Sequence, residues 1–461
     1  MILASAAKPL SEAWLSRVWQ SQLVSAHGLI TSEGQPVQVV YPGRRNREAG
    51  PDFSGAIISL NSAEPQSGDV ELHLCSSQWQ EHRHHCDPAY NRVILHVVLR
   101  HDCATPTPLQ SGSLVPVLPL DGHLDHAGRS SRCLSRTFPE PCPLRARRKT
   151  ELARLLDAAG EERFFKKASA FRADMDTFGP GQALYKGVMR ALGYAHNKEP
   201  FQELAQQVPL AELEQRAREE SPLRACLVLQ ARLIGGAGLL PQQRGLSLGE
   251  ADLGSELERI WHPLGCPQVL SPQNWRWRGV RPENWPMRRL AAASYLLTDN
   301  SQQGLLATVL GSLAGFRPTK LEEAFLVLAQ GYWADHYDFG VAGARGAPLI
   351  GRGRAAEITV NVALPFAWAW GQIHRQPELA KQTLELYRSY PRLAENQVTR
   401  LMKELFFPRG GPWPKSACQQ QGLLHLYHSF CLERKCSPCY AWRPAQPSLS
   451  PGITSSFQPS C

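Results

Sequence analysis

The sequence predicts an α/β N-terminal domain with a mixed sheet over residues 1–125, a mainly α-helical domain over 126–440, and a disordered tail over 441–461. Three observations predict this. Before residue 100, "PVQVVYPG" and "DVELHL" alternate with period two, Ile57–Leu60 is a short apolar run, and "RVILHVVLR" is a continuous apolar run suited to a strand buried on both faces. From about Pro143 the texture changes to helical periodicity broken by Gly and Pro. The end of the chain, "AWRPAQPSLSPGITSSFQPSC", is rich in Pro and Ser.

The first element is a helix over Ser11–Ser25. Ser11 is a capping residue, Glu12 lies in the first turn, and Trp14, Leu15, Val18, Trp19 and Leu23 recur at helical spacing. Three strands, a polar linking segment and a fourth strand follow. Further on, "RKTELARLLDAAGEERFFKKASAFRADM" and "ELAKQTLELYRSYPRLAENQVTRLMKELFF" are long helical stretches, while "LIGGAGLLP" and "FRPTK" are breaks. No internal repeat of fixed period is present.

A length of 461 residues favours two or three domains, and 43% apolar with 20% charged residues is globular composition. No apolar run approaches bilayer length, and the start lacks a basic segment followed by a clean apolar one, so the expectation is a soluble, cytoplasmic protein without a membrane partner. A net charge of +9 suits an anionic partner such as nucleic acid. Twelve cysteines in a chain of this kind point to metal or iron–sulfur binding rather than disulfides. No Walker A loop, dinucleotide-binding turn or Ser-His-Asp signature appears, and "LIGRGRA" lacks the Lys-Ser/Thr of a phosphate loop.

The chemistry concentrates between Gly50 and Val98. Asp52 lies at or just before the second strand and Glu71 on the third, so a hairpin brings the carboxylates to one end of the sheet, where two oxygen ligands suit Mg²⁺ or Mn²⁺. Alternation sends Asp69, Glu71 and His73 to one face. His73 then stands beside Glu71, placed to orient a water or neutralise charge. Trp79, His82, His84, His85 and Asp87 are candidates for supporting or substrate contacts, and the three histidines also for phosphate contact or zinc ligation. Each has a structural alternative: Asp52 as a turn residue, "HRHH" as a solvated face, and His96 as a packed core histidine.

This arrangement resembles the PD-(D/E)xK, restriction-endonuclease-like fold, whose motif is an acid after Pro, an acid-x-Lys on the next strand, and a preceding helical Glu. The matching positions are Glu12, Pro51-Asp52 and Glu71-Leu72-His73, with His73 where the family has lysine. The resemblance implies metal-dependent catalysis by Asp52, Glu71, His73 and Glu12. "GPDF" followed by "VELHLCSSQWQEHRHHC" is also similar to a gapped stretch of very-short-patch mismatch repair endonucleases. Nearly end to end, the chain resembles an uncharacterised bacterial family, domain of unknown function 2851. That likeness rests on "AGPDF", "GDVELH", "HRHHCDPAYNRVILHVV", "LGYAHNKEPFQELA", "RGVRPENWPMRRLA", "ITVNVALPFAWAWG" and "QGLLHLYHSFC". It implies no activity.

Near the end of the chain, Cys431, Cys436 and Cys439 follow a C-x4-C-x2-C spacing, and with Cys418 or Cys142 they suit a Zn²⁺ or [4Fe–4S] centre. The arrangement is similar to that in exonuclease subunits of recombination helicases and a nuclease of adaptive immunity; buried thiols are the alternative. Arg145, Arg147, Arg148 and Lys149 form a basic run suited to phosphates. A second basic stretch, "NWRWRGVRPENWPMRR", is more simply a packed Trp/Arg core. Together these features predict a metal-dependent nuclease acting on DNA or RNA. The alternatives are a non-catalytic nucleic-acid-binding or scaffold protein on a degenerate nuclease fold, and a metal hydrolase acting on another substrate.

Overall fold

The computed structural model describes residues 11–21, 28–46, 49–61, 63, 65–103, 107–121, 142, 148–247, 249, 252–265, 267–277, 280–343, 346–406, 414–432, 435 and 439. Ser11 caps the first helix, its Oγ accepting the Trp14 amide at 3.3 Å. This helix, α1 (Glu12–Ser21), buries Trp14, Leu15, Val18 and Trp19, the face its period predicts. Leu23 and the tail 441–461 lie outside the described residues.

The strands are β1 (Val37–Tyr41), β2 (Arg44–Arg45), β3 (Phe53–Leu60), β4 (Gln66–Cys75), β5 (Val93–Arg100), β6 (Thr107–Pro108), β7 (Leu114–Val115) and β8 (Val117–Pro119). The main sheet runs β1-β3-β4-β5-β8, with β2 paired to the start of β3. Pairing is antiparallel from β1 through β3 to β4 and parallel from β4 through β5 to β8, which makes the sheet mixed as expected. A parallel pair requires a crossover, and the polar linking segment supplies it through α2 (Gln78–Glu81) and 3₁₀ turns at His84–Cys86 and Pro88–Tyr90.

The face of α1 packs on Val37, Val39, Phe53, Ile58, Val70, Leu72, Leu95, Val97 and Leu118. Two-residue alternation therefore directs Val70 and Leu72 into this core, and Asp69, Glu71 and His73 away from it. Between Phe53 and Ala56 the β3–β4 register shifts; Gly55 takes φ +65° there, and Asp69 Oδ1 accepts its amide at 3.0 Å. Such a bulge re-aims the strand start that carries Asp52.

The chain divides into two compact units whose segments interleave: 1–137, 192–302 and 327–350 form one, and 138–191, 303–326 and 351–461 the other. The sheet thus shares its unit with helices such as Pro222–Gly236 and Pro286–Asp299, beyond the expected boundary near residue 125. In that unit Trp275 and Trp285 are buried, and Arg288 donates to the carbonyls of Trp333, His336 and Ala347, so these members of the Trp/Arg stretch are packed into the core, while Arg276 and Arg281 stay exposed.

In the second unit the helix Lys149–Phe178 packs on the helix Ala417–Leu426 with almost no side chain between them. A Cβ on Gly160 or Gly422 would stand 2.2 Å from the carbonyl oxygen of Cys418 or Leu156. The stretch expected to run helical from Glu378 divides into Pro377–Ser389 and Gln397–Phe406. Pro391 lacks the amide a continuing helix needs, and Asn396 restarts the chain by accepting the Thr399 amide at 2.9 Å. Among the described residues, no helix is long and apolar enough to cross a membrane.

Candidate metal centre

Asp52 immediately precedes β3 and Glu71 lies within the neighbouring β4, and their backbones cross-brace the two carboxylates. The Asp52 amide donates to Glu71 Oε2 at 2.9 Å, and the Leu72 amide donates to Asp52 Oδ2 at 3.2 Å. Each carboxylate keeps one oxygen outside this bracing. Glu12, exposed on α1, accepts from Gln78 Nε2 at 3.4 Å, and Gln78 Oε1 accepts the Cys75 amide at 2.9 Å. The glutamine thereby ties α1 to the end of β4.

The other oxygen of Glu71 faces histidines. Glu71 Oε1 lies 3.4 Å from His84 Nε2 and 3.7 Å from His73 Nε2. His73, 1% exposed, has its Nε2 3.1 Å from His82 Nδ1 and its Nδ1 2.9 Å from His96 Nε2. The 3₁₀ turn of the crossover delivers His84, whose ring packs on Tyr90 at 3.9 Å between centroids and meets Trp79 at 5.3 Å. Trp79 is buried and donates its indole N–H to the Pro108 carbonyl at 3.0 Å, so it walls the site. Among the described residues, one ring nitrogen from each of His73, His82 and His84 lies within 4.8 Å of the others.

Burial dominates the electrostatics. It pushes Glu71 up to about 8, with the Asp52 carboxylate adding to the rise and the Asp52 amide opposing it. Asp52 is raised by burial, against the Leu72 amide. Burial, reinforced by the neighbouring imidazoles, lowers His73 to about 2, His84 to about 4 and His96 to about 3. The Glu71–histidine contacts have the spacing of ion pairs, but burial favours the protonated acid and the neutral rings. Burial among other imidazoles therefore disfavours a positive charge on His73. Neutral imidazoles are metal ligands and water-orienting groups, and a cation would return Glu71 to its ionised form.

The remaining predicted residues divide. His85 is half-buried and Asp87 exposed; Asp87 caps the second 3₁₀ turn by accepting the Ala89 amide at 2.9 Å, which gives it a local structural role. Cys142, Cys431 and Cys439 join one cluster with Leu152, Met402 and Leu426. Cys418 does not join them. Its Sγ lies 3.5 Å from the Asp157 carbonyl, burial pushes its thiol up to about 12, and thirteen helical residues place it roughly 20 Å along the axis from Cys431. Among the described residues, the cysteines form no group of three within reach of one metal ion. Cys436, Arg145 and Arg147 lie outside the described residues. Arg148 is exposed and pairs with Glu151 at 3.5 Å, and Lys149 opens the long helix.

Three participants went unrecognised in the sequence. His96 is not merely packed: it sits opposite Glu71 in the β4–β5 register and touches His73. A histidine in the middle of an apolar strand was the available signal. Tyr90, whose hydroxyl is raised by burial and then by Glu71, and Gln78 had none, since a crossover without periodicity does not reveal which side chains turn inward.

The family model described as "Protein of unknown function (DUF2851)" matches residues 12–396, which include every residue of this centre. No curated protein and no solved structure matches the chain.

Proposed function

We propose that this chain, which belongs to the DUF2851 family of proteins of unknown function, is a cytoplasmic, metal-dependent nuclease that hydrolyses phosphodiester bonds in DNA or RNA. The observation that carries the proposal is the cross-braced pair of Asp52 and Glu71, each carboxylate held by a backbone amide at the other's end of the hairpin. The element order α1-β1-β3-β4-crossover-β5, with acids at the start of β3 and within β4, supports a restriction-endonuclease-like identity for the sheet.

In-line attack on a phosphodiester needs a metal to polarise the phosphoryl oxygen and lower the pKa of the attacking water. Asp52 and Glu71 would offer oxygens to Mg²⁺ or Mn²⁺, and Glu12 would complete the shell or hold a bound water. His73, in contact with His96, would position the attacking water or offset charge on the phosphate. Cys431, Cys436 and Cys439, with Cys418 or Cys142, would hold the Zn²⁺ or [4Fe–4S] centre, which a reducing compartment favours. Arg145, Arg147, Arg148 and Lys149 would contact backbone phosphates. A second reading, a non-catalytic nucleic-acid-binding protein on the same fold, is favoured by one observation: the lysine position holds a buried, neutral histidine. Incubation with single- and double-stranded DNA and RNA decides between them. Cleavage that requires Mg²⁺ or Mn²⁺ and stops with chelator supports the nuclease, whereas binding without cleavage under any divalent metal supports the second reading.

A further inference from the structure

The histidines around Glu71 form a donor set of their own, chemically distinct from the pair of acids. Ions bound at 2.0–2.1 Å by four donors require edges of about 3.3 Å between those donors. The 3.1 Å between His73 Nε2 and His82 Nδ1 lies close to that edge, and one ring nitrogen from each of His73, His82 and His84 lies within 4.8 Å of the others. The cluster is built on three separate pieces of chain: β4 supplies Glu71 and His73, the end of α2 supplies His82, and the following 3₁₀ turn supplies His84.

Two further observations point to a ligand. His84 is 8% exposed, and its Nε2 is buried without a hydrogen-bond partner, aimed at the Glu71 carboxylate. Leaving such a nitrogen unmet costs free energy unless something occupies its lone pair. The proton arrangement of the pair behind it also fits. If His73 Nδ1 donates to His96 Nε2 at 2.9 Å, the His73 Nε2 lone pair is left facing the cluster. A metal-bound histidine characteristically uses its second nitrogen in this way.

We propose that His73, His82 and His84, each through one ring nitrogen, bind one zinc-class divalent transition-metal ion beside Glu71 and Asp52. Three imidazoles suit Zn²⁺, Fe²⁺ or Co²⁺ and leave a position open, whereas Mg²⁺ prefers an all-oxygen shell and retains its waters. His96 is the positioning residue that fixes the His73 ring, and exposed His82 leaves the ion open to solvent and to a phosphate oxygen on one side. Only the use of the ion in hydrolysis rests on the nuclease proposal; its binding rests on the donor geometry.

The test uses full-length protein stripped by chelator and titrated with Zn²⁺ and with Co²⁺, alongside His82→Ala, His84→Ala and Cys431→Ser. His82 is exposed, so His82→Ala keeps the fold, which circular dichroism checks. Expected is about one ion bound at the histidines, with the visible d–d bands of nitrogen- and oxygen-ligated Co²⁺. Affinity should fall by more than about tenfold in His82→Ala and His84→Ala, persist in Cys431→Ser, and resist competition by millimolar Mg²⁺. Cobalt–thiolate charge-transfer absorption separates any ion at the cysteines. Unchanged affinity in both histidine variants, or displacement by Mg²⁺, overturns the site. Zn²⁺ bound at the histidines without cleavage of any nucleic acid overturns the nuclease and leaves the site standing; Mg²⁺-dependent cleavage together with unchanged Zn²⁺ affinity in both histidine variants does the reverse.

Discussion

Replacing Glu71 by glutamine in metal-free protein removes a group that destabilises the fold over a defined pH window. The Glu71 carboxyl is raised from 4.5 in the unfolded chain to about 8 in the fold, so between these values the folded state holds a proton that the unfolded state releases. Its contribution is therefore most favourable below pH 4.5 and is lost as pH rises through 8. At about 1.4 kcal/mol for each tenfold change in proton affinity, the loss reaches about 3 kcal/mol at pH 7. Glutamine keeps an oxygen for the Asp52 amide and does not titrate. In chelator, Glu71→Gln should thus match the wild type near pH 4 and exceed it by up to about 3 kcal/mol at pH 7, read from urea denaturation midpoints. His73, His84 and His96 are depressed below 6.5, so they withdraw stability as pH falls. That effect is common to both proteins and cancels in the difference. A bound divalent ion should reverse the order, stabilising the wild type and not the variant. Parallel pH profiles between 4.5 and 8 would refute a buried, protonated Glu71.

If His73 occupies the lysine position of a nuclease, His73→Lys should keep measurable cleavage and His73→Ala should lose most of it; equal loss in a cleavage assay counts against that role. Gly422→Ala should destabilise the second unit by about 1–3 kcal/mol, because the new methyl group meets the Leu156 carbonyl in a helix contact that cannot yield cheaply. Thermal denaturation checks it against Gly353→Ala, where a Cβ meets nothing within 4 Å. Protein purified without oxygen should contain iron or zinc that Cys439→Ser loses and Cys418→Ser keeps, since Cys418 faces the Asp157 carbonyl; equal loss in elemental analysis would restore Cys418 as a ligand.

The parts of the fold legible in the sequence were those governed by short periods. Trp14, Leu15, Val18 and Trp19 repeat as a helix face and are buried together on the sheet. The alternation of "DVELH" placed Glu71 beside His73, and they are 3.7 Å apart. Illegible were features set by non-local packing. The apolar run of β5 is buried on both faces and carries no period that tells which way His96 points. Spacing alone left the choice between Cys418 and Cys142 open, because sequence spacing does not say which distant thiol the fold brings near; Cys418 lies where the helix carrying Gly160 approaches closely. The interleaving of the two units depends on chain returns at 192 and 327 that no local pattern marks. Pro391 is the converse case, a visible breaker within a strong helical period that ends the helix where it stands.

The most direct test is made on Asp52→Asn, which removes one charge from the cross-braced pair while keeping an oxygen for the Leu72 amide. Cleavage of a labelled nucleic acid and binding of the same molecule are measured side by side in Mg²⁺ and in Mn²⁺. Loss of cleavage with binding and thermal stability preserved is the expected result, because the carboxylate serves the metal rather than the core. Undiminished cleavage by Asp52→Asn would contradict catalysis at this site.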